Sequence, residues 1–160
     1  MPEVVMAKWA WTERKFNFDY PATKWPDLLE RVRGTPPRIE ERVRGLSKDT
    51  LTRRRDGKGW SIQENIGHLL DLEDIHLRRI EEILAGKAVL VAADMTNRKT
   101  HEADHNAKDI RALCGELRAD RARLVAQFEA LHEADWAKSA LHPRLQQPMR
   151  IVDIAYFTAE

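Results

Sequence analysis

The sequence predicts an all-α fold: a bundle of four helices preceded by an aromatic arm. Three observations carry that expectation. Apolar residues recur at steps of three and four through each long segment. Helix-start signals stand at the head of three segments, at Thr35-Pro36, Ser61…Glu64 and Asn106…Asp109. Strand-like alternation is confined to Phe16, Phe18 and Tyr20, with no partner strand following. The helices are expected near residues 36–45, 62–85, 107–131 and 149–160.

The arm holds Trp9, Trp11, Phe16, Phe18 and Tyr20. It is expected to be extended and packed on helices, with core packing favoured over a ligand platform. Pro26 and Asp27 open a short helix through Val32 that stops at Gly34. Thr35 with Pro36 then reads as a new cap with proline in the first turn. Ile39, Val43 and Leu46 give one apolar face, so this first helix is expected to bend or break near Gly34. Residues 47–59 read as a polar loop, with Arg53, Arg54, Arg55 and Lys58 solvated.

The second helix is the clearest. Ser61 and Glu64 form a Ser-x-x-Glu capping box, and Gly86 stands where a left-handed residue ends a helix. About 24 residues lie between, roughly 36 Å of helix. Its stripe is Ile62, Ile66, Leu69, Leu70, Leu77, Ile80 and Leu84. His68 falls beside that stripe. It is either a half-buried histidine bonded to a neighbour or a ligand facing another helix. The link over residues 87–106 has no Pro or Gly and is expected to be ordered. The third helix carries Ile110, Leu113, Cys114, Leu117, Leu124, Phe128 and Leu131, with Arg118, Asp120, Arg121 and Arg123 on solvated faces. Among all these apolar positions Trp60, Ile66, Leu69, Ile80, Leu113, Leu117 and Phe128 are expected to be buried. The loop AKSALHPRLQQP leads to the last helix, which carries no stop signal before Glu160. The expectation is one domain over 1–160, cut within that helix.

Composition bounds the function. Hydrophobic content of 42% with 33% charged residues fits a soluble globular chain. A net charge of +1 with interleaved signs argues against nucleic acid as a partner. No apolar run reaches the ~18 residues of a membrane helix, and no signal-peptide order opens the chain. A single cysteine, Cys114, rules out an internal disulfide, and a reducing cytoplasm is the expected location.

Three constellations suggest a metal. His101-Glu102-Ala103-Asp104-His105 fits His-Glu-x-x-His, whose histidines share a helix face only if the helix is continuous. A protease, a pocket lining and a solvated link are its readings. Glu73 with His76 and Glu129 with His132 have di-iron spacing. Glu129 lies off its helix's stripe, however, and Glu73 reads better as a buried acid with an Arg or His partner. The third is His68. The stretch KGWSIQENIGHLLDLEDIHLRRIEEILAG, with ADMTNRKTHEADHN and HPRLQQPMRIVDIAYFTAE, resembles the DinB/YfiT-like proteins.

That resemblance implies a four-helix bundle in a variant up-and-down arrangement, often a homodimer. It implies a divalent metal, Zn or Ni, with His68 as one of three histidine ligands. The other two would form His-x-x-x-His past Glu160. The implied function is a metal-dependent enzyme acting on a small molecule, with transfer of a low-molecular-weight thiol such as bacillithiol or mycothiol to an electrophile foremost. A metal-dependent hydrolase and a non-catalytic dimeric bundle are the alternatives. Trp60, Asn97, His101, His105 and Tyr156 are candidate pocket residues; Asn97 and the two histidines qualify because the long link must cross one end of the bundle.

Overall fold

A computed structural model describes residues 13–160, the side chain of Asp56 excepted. Its bundle helices are α1 (Trp25–Val43), α3 (Ile62–Leu84), α5 (Ile110–Glu129) and α6 (Ile151–Ala159). Two short helices, α2 (Lys48–Thr52) and α4 (Arg98–Glu102), sit in the connections. A hairpin of β1 (Ser139–His142) and β2 (Gln147–Arg150) precedes α6.

The directions of the helices follow from their contacts. Arg118 pairs with Glu40 and Arg33 with Glu129, so α5 runs antiparallel to α1. Ile66 packs with Leu113 and Leu117, and Glu73 binds Arg121, so α3 and α5 are parallel. Arg150 bonds the carbonyls of Phe18 and Tyr20 just before α1, while Glu160 pairs with Arg31. Hence α6 runs with α1. Two parallel neighbours need a crossover, and residues 85–109 supply it. The link does more than cross. Leu90 and Leu141 exchange backbone bonds with β1 and Ala88, adding a short parallel bridge at Val89 to the hairpin.

Helix α3 begins and ends where its sequence says. Ser61 accepts from Glu64 N–H, and the Glu64 carboxylate accepts from Ser61 N–H at 2.8 Å. At the other end Gly86 takes φ +73, while Gly86 and Lys87 bond the carbonyls of Ile83 and Glu82.

Four expectations need correction. First, α1 is not broken at Gly34: it runs unbroken through Thr35, Pro36 and Pro37. Thr35 caps nothing, and its hydroxyl bonds Arg31 O one turn back. Pro36 has no N–H for the Val32 carbonyl. That carbonyl instead accepts from the buried Arg121 guanidinium at 3.0 Å, so a tertiary contact replaces the missing helix bond. Second, Arg121 is therefore not solvated. It is 3% exposed and bidentate on Glu73, at 1%; Glu73 thus has its arginine partner. Third, the polar loop 47–59 contains α2, which Ser47 caps and Leu51 anchors at 1% exposure. Fourth, the loop after α5 forms the hairpin, so the last helix starts at Ile151.

Ile66, Ile80, Leu113, Leu117 and Phe128 are buried. Trp60 and Leu69 are half-buried instead, at the end where the link crosses, and Ile62 and Leu84 are exposed. In the arm, Phe16, Phe18 and Tyr20 pack on α6, with Phe16 4.7 Å from Phe157 and Tyr20 5.6 Å from Tyr156. Trp9 and Trp11 lie outside the described residues. No helix is long and apolar enough to cross a membrane among the described residues.

Candidate functional site

His68 stands on the second turn of α3, and the link folds over it. Ser61 donates to Asn106 Oδ1 at 2.7 Å, and Gln63 donates to the carbonyls of His105 and Lys108 at 2.6 and 2.8 Å. These bonds clamp the link along the first half of α3. They also bring Thr100, on α4, against the histidine.

His68 Nδ1 lies 3.0 Å from Thr100 Oγ1, and Thr100 donates to Asp71 Oδ2 at 2.9 Å. A hydroxyl has one proton to give, and a carboxylate only accepts. Thr100's proton is committed to Asp71, so His68 Nδ1 must be the donor to Thr100. Burial above all holds His68 below the usual imidazole pKa; Asp71 opposes this, and His105 and His101 add to it. A neutral imidazole with its proton on Nδ1 leaves Nε2 as a bare lone pair. No hydrogen bond among the described residues occupies that nitrogen.

Trp60 covers this ring at 4.6 Å between centroids and meets His101 edge-on at 5.6 Å. Trp60, His68 and His101 therefore gather at one end of the bundle. His105 is drawn inward instead, 1% exposed, with Nε2 donating to Asp71 Oδ2 at 2.8 Å. Its Nδ1 has no partner and its ring rests on the bare Cα of Gly67. It supports the site from behind rather than lining an opening. The two histidines of His-Glu-x-x-His do not share a helix, because α4 ends at Glu102 and Asp104 takes φ +45. Asn97, at φ +53 before α4, bonds nothing through its side chain. Tyr156 packs against Tyr20, Phe18 and Phe16 in the arm, apart from the others.

Sequence reading missed Asp71, Thr100, Gln63 and Gly67. Asp71 carried a signal, one turn after His68 on the same face. Gly67 carried another, since a mid-helix glycine costs about 1 kcal/mol unless something needs the space. A Cβ there would overlap the His105 ring, which the hydrogen bond to Asp71 holds in place. Gly67→Ala should therefore lose about 1–3 kcal/mol in urea unfolding. An unchanged midpoint would show that the ring is not pinned.

A family model for the DinB superfamily matches residues 29–160. The chain belongs to the DinB superfamily. Solved structures agree in fold. YfiT from Bacillus subtilis, described as a probable metal-dependent hydrolase with an unusual four-helix bundle topology, superposes with a TM-score of 0.75 at 17% identity, covering 91% of this chain and 84% of that one. The mycothiol-dependent maleylpyruvate isomerase gives 0.67 at 13% identity, over 88% of this chain and 57% of its own. A protein from Streptococcus pneumoniae gives 0.63 at 11% identity, over 91% and 83%. No curated protein matches the sequence.

Membership in the DinB superfamily raises the question of a metal. His68 fits one, because its Nε2 is free and its Nδ1–H is held by an ordered acceptor, as metal-bound histidines usually are. The rest of the described residues do not complete a site. No group of three His, Cys, Asp or Glu side chains among them is placed to hold an ion. His105 is spent on Asp71.

Proposed function

We propose that this protein is a metal-dependent DinB-type enzyme in which His68 Nε2 is a metal ligand, acting on a small molecule. Transfer of a low-molecular-weight thiol to an electrophile is the leading reaction. The observation that carries the reading is the Asp71–Thr100–His68 chain of hydrogen bonds, which fixes the tautomer that a metal needs. A divalent ion at Nε2 would supply Lewis acidity and favour the thiolate form of a bound thiol. The chain's own residues do the rest. Asp71 and Thr100 orient the imidazole, Trp60 shields one of its faces, and His101 edges the opening.

A metal-dependent hydrolase is the second reading, favoured by the closer superposition on YfiT. The two separate on one assay: product formation that needs an added thiol supports transfer, and product formation from water alone supports hydrolysis. Homodimerisation and a cytoplasmic location belong to the same proposal, and sedimentation would test the first.

Metal content after dialysis tests the ligand assignment. One imidazole cannot hold a divalent ion against water, so the 160-residue chain should retain little Zn²⁺ or Ni²⁺. A longer form carrying His-x-x-x-His beyond Glu160 should retain stoichiometric metal and lose it with His68→Ala. In that form Thr100→Val should weaken affinity by about 10–100-fold, as loss of an orienting partner does. Equal metal in the longer form and its His68→Ala variant would remove His68 from the site.

A further inference from the structure

A second polar cluster lies farther along α3, and the DinB-type reading leaves it unused. Arg79 is 3% exposed, and its Nε and Nη2 both donate to Val91 O at 3.2 and 3.1 Å. That carbonyl is its whole hydrogen-bonding environment, and no carboxylate among the described residues forms an ion pair with it. The nearest acid, Glu82, is taken up by Val91 N–H, Arg78 and Lys87. A guanidinium buried without a counter-charge is costly, and proteins rarely leave one so.

His142 has the matching peculiarity. It is 2% exposed, and its Nδ1 accepts from Leu145 N–H at 3.1 Å. The neutral ring must then carry its proton on Nε2, and that buried N–H has no acceptor. The link strand pairs with β1 at Val89 and Leu141, which sets Val91, and the Arg79 bound to it, beside His142. Arg144, in the hairpin turn, is half-buried, and no hydrogen bond or ion pair among the described residues engages it. It acts electrostatically on both Arg79 and His142. His76 borders the group with an unpartnered Nδ1. The cluster therefore offers two guanidinium groups and one orphaned N–H; the acid that acts on Arg79 is Glu82, whose oxygens Val91 N–H, Arg78 and Lys87 already engage.

We propose that Arg79, His142 and Arg144 form an oxyanion site that takes a carboxylate or phosphate group entering at the hairpin turn. Guanidinium binds either group through paired N–H donors, and the His142 Nε2–H adds a third. Arg79 lies eleven residues beyond His68 on nearly the same helix face, about 16 Å away. One small anion cannot touch both, so the site stands apart from the metal reading.

The experiment titrates the protein with inorganic phosphate, and separately with succinate, at constant ionic strength with chloride as control. The readouts are the thermal midpoint and the His142 imidazole ¹⁵N–¹H resonance. The expected result is a saturable rise in the midpoint with a shift of the His142 Nε2–H signal. Both responses should disappear in Arg144→Gln and in His142→Asn, whose amide oxygen can keep the bond to Leu145. The stronger of the two anions names the ligand's chemistry. His68→Ala should respond like the parent chain, which separates this result from the fate of the metal assignment. No saturable response to either anion in the parent chain overturns the proposal, and so does a response that survives Arg144→Gln, which breaks no hydrogen bond or ion pair among the described residues.

Discussion

Arg121→Ala should cost about 3–5 kcal/mol of folding stability, because it strands a buried Glu73 carboxylate. Glu73 is 1% exposed, and Arg121 is its hydrogen-bonding partner; burial already pushes the Glu73 carboxyl above its usual range, with Arg121 pulling it back. Removing both charges in Glu73→Leu/Arg121→Met should recover much of the loss, since buried pairs rarely outperform apolar replacements of similar volume. Recovery should fall short for a specific reason. The Val32 carbonyl, which Pro36 deprives of its helix partner, would then have no donor, at about 1–3 kcal/mol. Adding Pro36→Ala restores a backbone N–H to that carbonyl and should close most of the gap. Urea unfolding of the parent, Arg121→Ala, the double variant, the triple variant and Pro36→Ala alone checks the series. If Pro36→Ala helps the parent chain as much as the double variant, the coupling between the proline and the ion pair is absent.

That coupling shows where sequence reading reached its limit. Capping residues and apolar periodicity act within one or two turns, so α3 was legible to within a residue; α5 starts three residues later than the expected 107, because Asp109 rather than Asn106 caps it and Asn106 sits in the turn before. Gly34, with Thr35 and Pro36 after it, carried an equally strong local signal for a break, and it was overridden. The compensation comes from Arg121, on another helix, and spacing along the chain cannot show which carbonyl it will reach. The same holds at the site. His68 could be singled out from its stretch of α3, and Trp60 and His101 do gather around it. Its tautomer depends on Thr100, delivered from 32 residues away by the clamp of the link. Asn97 was placed there because the link crosses one end of the bundle, but its side chain makes no hydrogen bond among the described residues, and Tyr156 packs in the arm instead. The hairpin escaped because SALH and QPMR are too short for a period to be read.

Stability should fall steeply as pH drops from about 6.5 to 4.5, and two histidines should account for most of the slope. Burial, then Arg121 and Arg79, depresses His76 to about 3. Burial, then Arg79 and Arg144, depresses His142 to about 4. In the unfolded chain both titrate near the ordinary value of about 6.5. Below that pH the unfolded state takes up protons that the folded state refuses, so acid favours unfolding. Each such histidine contributes about 1.4 kcal/mol per pH unit until its folded pKa is reached. His68, also lowered, adds in the same sense over a narrower range. Glu64 enters later, because the Arg54 hydrogen bond holds it at about 2. Its stabilisation is intact above the ordinary glutamate range and is lost only as pH falls from there toward 2. The histidines therefore set the sign of the slope between 6.5 and 4.5, while Glu73, whose carboxyl burial raises, works in the opposite sense as it protonates in the fold. Urea unfolding at several pH values should give a slope that drops by about half in His76→Leu and again in His142→Asn. A slope unchanged by both substitutions would mean that these rings do charge inside the fold. That would require a counter-ion beyond Glu82, the acid that acts on Arg79 and that Val91 N–H, Arg78 and Lys87 already engage.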